Sequence, residues 1–450
     1  MNTAAARPSA AMPGYGEVIT RIRKRAMMSF AVMALLLVYL TYTWFAFDVT
    51  GLIQSAKPER AALLANDAVA HKVHVTKSMR TSELEVAIEG ERTATYETPP
   101  DWVEIGEQGT LVALGDGYSV KVLDQALEFI VPGFGTIQVA IVDNKIRTTL
   151  PDGKSAPDWL RTTDAKFDAR PDLRKRVQMS RAKIEIHRYF GGWENFFFPF
   201  NSVLSTYSFG QIVSLIMSDE RLDPAMSNWQ LVFDTFWTNP DWQHGNVFTA
   251  LLETLLLAVL GTVSAAFVAL PLAFLAAKNF SPSRIVRFSV RRLFDLLRGI
   301  DMLVWSLIFI RAFGLGPLTG TLAIAFTDTG ELGKLFSEAL ENIDEKQVDG
   351  VKSTGASKIQ TYRFGVIPQI LPIFISQGLY YLESNIRSAT VIGALGAGGI
   401  GLMLVETIRT SRDWENTLYL IILTLLLVIA MDKISSILRR RLIQGKDIQG

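Results

Sequence analysis

Residues 349–368 read DGVKSTGASKIQTYRFGVIP, and the placement of this stretch governs the reading of the rest. It is polar and helix-prone, with Gly355 inside it and Pro368 at its end, yet apolar segments long enough to cross a bilayer flank it. The hydrocarbon core is about 30 Å thick and holds no water, so a charged stretch cannot lie in it. It is therefore a structured loop on one membrane face. Lys346, Lys352, Lys358 and Arg363 make that face the cytoplasmic one, because short inner loops carry an excess of Lys and Arg.

Working outward, residues 247–277 form one apolar span, with Pro271 near its inner end, and Lys278, Arg284, Arg287, Arg291 and Arg292 follow it. Residues 293–313 are expected to form the next span although they contain Asp295, Arg298, Asp301 and Arg311. Gly314–Pro317 makes a turn, and residues 319–343 return with Leu332, Leu335, Phe336, Ala339, Leu340 and Ile343 at helical spacing, which predicts a protein-facing inner half. Spans at 367–385 and 417–437 complete this part, the last followed by Arg439, Arg440 and Arg441. Upstream, residues 27–47 form an apolar run behind Arg21, Arg23, Lys24 and Arg25. Trp44, Phe45 and Phe47 crowd the end where a cleavage site needs small residues, so a retained anchor is expected. Six spans with both termini cytoplasmic satisfy the charge bias.

The organisation expected is a cytoplasmic tail over 1–26, disordered over 1–20, the anchor at 27–47, a β-rich extracytoplasmic domain over 48–200, and an interfacial segment over 201–246. A membrane domain over 247–440 follows, with the cytoplasmic loop at 344–366 and a tail over 441–450. Period-two alternation in LEVAI (84–88), TLVAL (110–114), YSVKVL (118–123) and IQVAIV (137–142) predicts about five strands, entered through a charged helix near 58–69. Trp229, Trp237 and Trp242, after the run NFFFPF at 195–200, suit a membrane interface.

Composition excludes several chemistries. The 450 residues carry a net charge of +1 and include no Cys, so disulfides, thiolate nucleophiles and Cys-bound metals are out, and nothing points to nucleic acid. Of the four His, His71 and His74 form an H-x-x-H in a Lys-rich segment and read as solvated surface rather than as a metal site. No metal or cofactor is expected. Gly396–Gly401 matches G-x-G-x-x-G, but no soluble strand precedes it. Small residues there let backbones approach closely, so Gly396, Gly398, Gly399 and Gly401 are candidates for helix packing or a gate. Gly153-Lys154-Ser155 ends like a P-loop, but Thr148 stands where its first Gly belongs, so the chain is not expected to hold ATP or to act as an enzyme.

Ionisable groups inside spans are costly in lipid and should face the bundle, a partner or water. Glu253, Asp295, Arg298, Asp301, Arg311, Glu383 and Arg387 are of this kind. Arg298 with Asp301 and Glu383 with Arg387 have the spacing of helical pairs. Arg298 and Arg387 are also candidates to meet an oxyanion on a translocation path, because guanidinium forks match its geometry. Glu383, Asn385 and Ser388 would flank Arg387 there.

Within 349–368, the spacing resembles the EAA loop of ABC-importer permeases, with Asp349, Gly350 and Val351 at its first three positions, Gly355 at its glycine and Gly365, Ile367 and Pro368 at its end. The run SNIRSATVIGALGAGGIG at 384–401 resembles the signature of phosphonate-importer permeases of the PhnE type. The resemblance covers about 247–440 and leaves 48–200 unexplained. It implies an all-α membrane fold, a six-helix ABC-importer permease bundle carrying the N-terminal anchor and the inserted β-rich domain, in the bacterial inner membrane. It implies ABC ATPase subunits, an extracytoplasmic substrate-binding protein and a second permease copy as partners, with lipid around them. Gly355 would turn the loop, Ala356 and Ser357 would dock in a groove of the ATPase, and Lys352 and Lys358 would meet its acidic rim. The cargo implied is a phosphonate or a related phosphorus oxyanion. A permease of the same architecture for an amino acid, or a membrane-anchored sensor, are the alternatives.

Overall fold

The computed structural model describes residues 15–90, 94–107, 109–410 and 413–444. The chain divides into two compact units, residues 1–63 and 64–450. The tail expected over 1–26 lies outside the described residues as far as residue 14, and from Tyr15 the chain is already helical.

In the first unit, α1 (Tyr15–Ala46) holds an apolar stretch of 25 residues, Ile22–Ala46, none of them buried within the chain. At 1.5 Å per residue that stretch is about 37 Å long, enough to cross a bilayer. Asp48 ends it in the left-handed region (φ 43°) and starts α2 (Val49–Ser55), its carboxylate accepting from the Gly51 N–H at 3.1 Å. The charged helix α3 (Pro58–Val69) lies where it was expected.

The second unit begins within α3, at Leu64, and continues with β1 (Ala70–Ser78), β2 (Leu84–Ile88), β3 (Val103–Gly106), β4 (Gly109–Gly115), β5 (Tyr118–Val122), β6 (Ala126–Val131), β7 (Gly135–Val142), β8 (Lys145–Thr149), β9 (Leu160–Thr162), β10 (Lys166–Asp172), β11 (Lys175–Ser180) and β12 (Lys183–Gly191). The expected count of about five strands was too low. They form two six-stranded antiparallel sheets, ordered β2-β1-β12-β11-β10-β9 and β3-β4-β5-β6-β7-β8. Val73, Val75, Phe167, Met179, Ile184 and Ile186 of one sheet share a single core with Val112, Val120, Leu127, Phe129, Ile137 and Val139 of the other. Lys175 is buried between Asp116 and Asp172 at 2.7 Å each, and Arg170 reaches Asp67 at 2.7 Å.

The histidines are not solvated surface. His71 is buried and stacks on Phe190, and His74 stands directly opposite the buried His187 in the β1–β12 register, their rings 6.3 Å apart. His187 Nε2 lies 3.3 Å from Glu89 Oε2. Burial, then the neighbouring His187, holds the His74 pKa below its ordinary value, against Glu89, Glu85 and Glu185. For Glu89, burial acts upward, but the His187 hydrogen bond and charge, with Lys72 and His74, bring the carboxyl down to about 2. The signs agree. The unfolded chain takes up the His74 proton first as the pH falls through about 6.5, and the Glu89 contribution is lost as the pH falls from the ordinary carboxyl range toward 2. Like charges directly opposed across strands are unfavourable. The protection of the β1 and β12 amides, corrected for the intrinsic pH dependence of exchange, is therefore expected to fall as the pH drops from 7.5 to 5.5, and His74→Gln is expected to flatten that dependence. Equal slopes in both proteins would exclude His74 as the source.

After the strands come α4 (Phe209–Met217), α5 (Asn228–Trp237), α6 (His244–Ala276), α7 (Arg284–Gly299), α8 (Met302–Phe313), α9 (Pro317–Glu341), α10 (Glu345–Ser353), α11 (Lys358–Thr361), α12 (Ile367–Ile392), α13 (Gly399–Thr410) and α14 (Trp414–Gln444). Of the tail expected over 441–450, residues 441–444 continue α14 and 445–450 lie outside the described residues. Small residues govern the packing of the bundle, as expected where helices approach closely. Ala258, Gly261, Ala265, Ala269 and Ala273 line the buried face of α6, and a Cβ on Gly261 would stand 2.5 Å from Ile324 of α9. Leu332, Phe336 and Leu340 are buried, as the helical stripe in α9 predicts.

The continuous span expected over 293–313 is broken. Gly299 ends α7, and Asp301 starts α8 as its N-cap, accepting from the Leu303 N–H at 2.8 Å. At 12 residues, α8 is about 18 Å long and too short to span alone. Among the described residues four helical stretches are long and apolar enough to cross a membrane: Ile22–Ala46, His244–Ala276, Lys358–Ala397 and Trp414–Arg441.

An aromatic cluster fastens the segment after β12 to the ends of α6 and α14. Trp193, Phe196, Trp242 and Tyr419 contact one another, and His244 bridges them, one ring nitrogen 2.8 Å from the Tyr419 hydroxyl and the other 2.7 Å from the Phe196 carbonyl. Trp242, expected at an interface, is instead a packing residue, 3 % exposed, with its Nε1 donating to the Glu194 carbonyl at 3.0 Å.

Candidate functional site

Two features at opposite ends of α12 combine special backbone geometry with polar chemistry. At one end, α10 and α11 form a helix pair with Gly355 between them in the left-handed region (φ 83°), open space where its side chain would be. Ser357 caps α11, its Oγ accepting from Gln360 N–H while the Gln360 side chain accepts from Ser357 N–H at 2.8 Å. Asp349 and Lys352 pair at 2.9 Å on the exposed face of α10, and this raises the Lys352 pKa above its ordinary value. A groove of about 610 Å³ opens between the two helices, lined by Gly350, Val351, Thr354, Gly355, Ala356 and Phe364 among others. Ile359 and Phe364 are exposed beside it, as is Lys358 at the start of α11.

The pair is joined firmly to the bundle. Val348 of α10 is buried in one cluster with Phe336, Leu340, Val366 and Ile370. Gly365 permits that approach, since a Cβ there would stand 3.3 Å from the Val348 Cα. The Gln369 side chain accepts from the Asp344 N–H at 2.8 Å, and Pro368 sits in the first turn of α12, directly after the π-helical turn. The turn Tyr362–Val366 is a π-helical widening leading into α12, a form frequent at functional sites.

At the other end, a second π-helical turn, Gly393–Ala397, leads into α13. Gly396, Gly398 and Gly399 have φ of 114°, 92° and 70°, conformations that L side chains rarely adopt. A Cβ on Gly396 would collide with Leu315, one on Gly399 with the Thr254 hydroxyl, and one on Gly401 with the Thr390 carbonyl. The Gly316 N–H donates to the Gly396 carbonyl at 3.1 Å, so the α8–α9 turn also meets this point. Helix α13 was not expected from the sequence.

The ionisable candidates separate. Arg298 pairs with Asp295 at 3.3 Å and not with Asp301, which is occupied as the cap of α8. Asp295 also faces Arg292 at 3.2 Å and Lys334 at 3.7 Å. Glu383 and Arg387 lie 4.0 Å apart, with Arg387 largely exposed on α12 and Ser388 half-buried beside it. Asn385 does not accompany Arg387. It is buried on the opposite side, donating to Asp328 of α9 and, at 2.7 Å, to the Thr262 hydroxyl of α6. Asp328 was missed by sequence reasoning. The signal for it was the small, polar run Thr327-Asp328-Thr329-Gly330 directly after the apolar run Leu322–Phe326.

Residues 269–445 match the protein family described as binding-protein-dependent transport system inner membrane component. The phosphite transport system permease protein PtxC of Stutzerimonas stutzeri is 36 % identical over 190 residues, 42 % of this chain and 69 % of that protein. The phosphate-import permease protein PhnE of Mycolicibacterium smegmatis is 36 % identical over 192 residues, 43 % of this chain, and the match spans about a third of that longer protein, 36 %. The methionine import system permease protein MetP of Bacillus subtilis is 26 % identical over 182 residues, 38 % of this chain and 82 % of that protein.

Proposed function

The chain belongs to the family of binding-protein-dependent transport system inner membrane components, and we propose that it is the permease subunit of an ATP-driven importer for a phosphonate or a related phosphorus oxyanion. The observation that carries this reading is the α10–α11 pair, an exposed grooved element whose buried Val348 is seated in the bundle. In this reading the pair faces the cytoplasm, and an ABC ATPase subunit occupies its groove, with Gly355 setting the angle between the helices. Closure of the ATPases on ATP moves α10, and Val348 with Gly365 passes that motion to α12.

The spans are α1, α6, the broken pair α7–α8, α9, α12 and α14, with both termini in the cytoplasm and the β-domain outside. A binding protein delivers cargo from that side. The amphipathic α4 and the aromatic ridge of Phe233, Trp237 and Phe248, with stacked or tilted rings 5.4–5.5 Å apart, lie at the lipid surface. The exposed Arg387 is too costly to leave in lipid, so its face of α12 meets a second permease copy or the path between them. An oxyanion there is matched by the guanidinium. Arg387→Gln is expected to lower uptake of methylphosphonate or phosphite about tenfold in proteoliposomes containing the ATPase and binding protein, from the loss of a charged hydrogen bond. Uptake unchanged by this substitution would favour a cargo without net charge, such as the amino acid in the name of the methionine relative.

A further inference from the structure

The start of α13 is held by another helix. Glu253 Oε2 of α6 accepts from the Gly399 N–H at 2.7 Å, and the Thr254 hydroxyl accepts from the Ile400 N–H at 2.9 Å while donating to the Ala250 carbonyl at 2.9 Å. The first N–H groups of a helix have no partner within it, and leaving them unmade in a buried place is costly. Gly399 and Ile400 are buried, and Thr254 is fully so. A carboxylate is also the group that the positive end of a helix favours. Two consecutive residues of α6 thus supply the N-cap that the glycine turn cannot supply for α13. The glycines make it possible: a Cβ on Gly398 would stand 2.9 Å from Glu253 Oε1.

We propose that Glu253 is a positioning residue for transport, one that fixes α13 against α6 so that motion of α12 changes the gate at the β-domain end instead of being dissipated in the glycine turn. The inference rests on the importer reading. Helix α12 is a rod of 26 residues, about 39 Å, with a π-helical turn at each end. Its near end joins the α10–α11 pair, and its far end becomes the turn into α13. Without a fixed α13, a push on the near end is taken up by the left-handed glycines. With α13 held by Glu253 and Thr254, and Gly396 held by Gly316, the same push must move packed helices against one another.

The test is the ratio of ATP hydrolysed to cargo imported, measured on the complete complex with ATPase and binding protein in liposomes. Glu253→Ala is expected to raise that ratio about tenfold, the weight of one charge-assisted hydrogen bond, while Glu253→Gln, which keeps an acceptor at the same place, restores it to within about twofold of wild type. Thr254→Val removes the second acceptor without changing shape, and about a threefold rise is expected. It serves as the deciding variant if Glu253→Ala does not assemble. A residue that only supported the fold would lower hydrolysis and import together and leave the ratio unchanged. An unchanged ratio in Glu253→Ala and Thr254→Val, or a Gln variant as uncoupled as the Ala variant, overturns the proposal. Failure of the wild type itself to import overturns the importer reading instead.

Discussion

Gly401→Ala is expected to destabilise the membrane domain by about 3 kcal/mol or more and to abolish transport, though it adds a single methyl group. A Cβ at this position collides with the Thr390 carbonyl, and the Ala394 amide stands 2.9 Å away. Both are backbone atoms, so no side-chain rotation relieves the overlap. Helix α13 must retreat from α12, and that retreat breaks the caps from Glu253 and Thr254. Overpacking usually costs about 1–3 kcal/mol because neighbours give way, and here they cannot. Gly378→Ala is the control: it lies on α12, and nothing stands within 4 Å of the added atom. Thermal unfolding in detergent should drop by several degrees for Gly401→Ala and stay level for Gly378→Ala. Equal melting of the two would mean that the glycine turn is not a close-packed joint.

Gly355→Arg is expected to keep the fold and lose ATPase recruitment by about a hundredfold or more. The backbone at Gly355 has φ 83°, where an L side chain costs about 1–2 kcal/mol. Space is open around it, so the substitution does not disturb Val348 or its cluster. What changes is the angle between α10 and α11 and the shape of the groove they line, with a bulky cation placed at its rim. Gly355→Asn separates the two causes, because Asn tolerates the left-handed region. Recruitment near wild type for Asn and lost for Arg would assign the effect to the groove. Loss in both assigns it to the backbone angle. Retention in both would remove this element from the ATPase contact.

Local spacing made the α10–α11 pair and the glycine run legible, because turns and close approaches are set by residues near in sequence. Gly355 and Gly396 announce their conformations by being glycine. The break between α7 and α8 was less visible. Hydropathy joins Leu293 to Phe313, and the end of α7 at Gly299 with the capping role of Asp301 divides them. Likewise, β10 and β11 carry charges whose partners come from elsewhere in the chain, as with Lys175 and Asp116 of the β4–β5 turn or Arg170 and Asp67 of α3. A sequence window sees the charge and not its partner. The same limit hid the site residues. Glu253 reads as a costly acid in a span until Gly399, 146 positions later, is found at its carboxylate, and Asn385 reads as a neighbour of Arg387 until Asp328 is found on its other side.

The most direct measurement of the central claim is capture of the cognate ATPase by the detergent-solubilised chain, followed by hydrolysis and uptake in liposomes with the binding protein and methylphosphonate. The account predicts stoichiometric capture and ATP hydrolysis stimulated by loaded binding protein, with uptake that stops when ATP is withheld. A folded chain that captures no ATPase, or hydrolysis indifferent to the loaded binding protein, would contradict it.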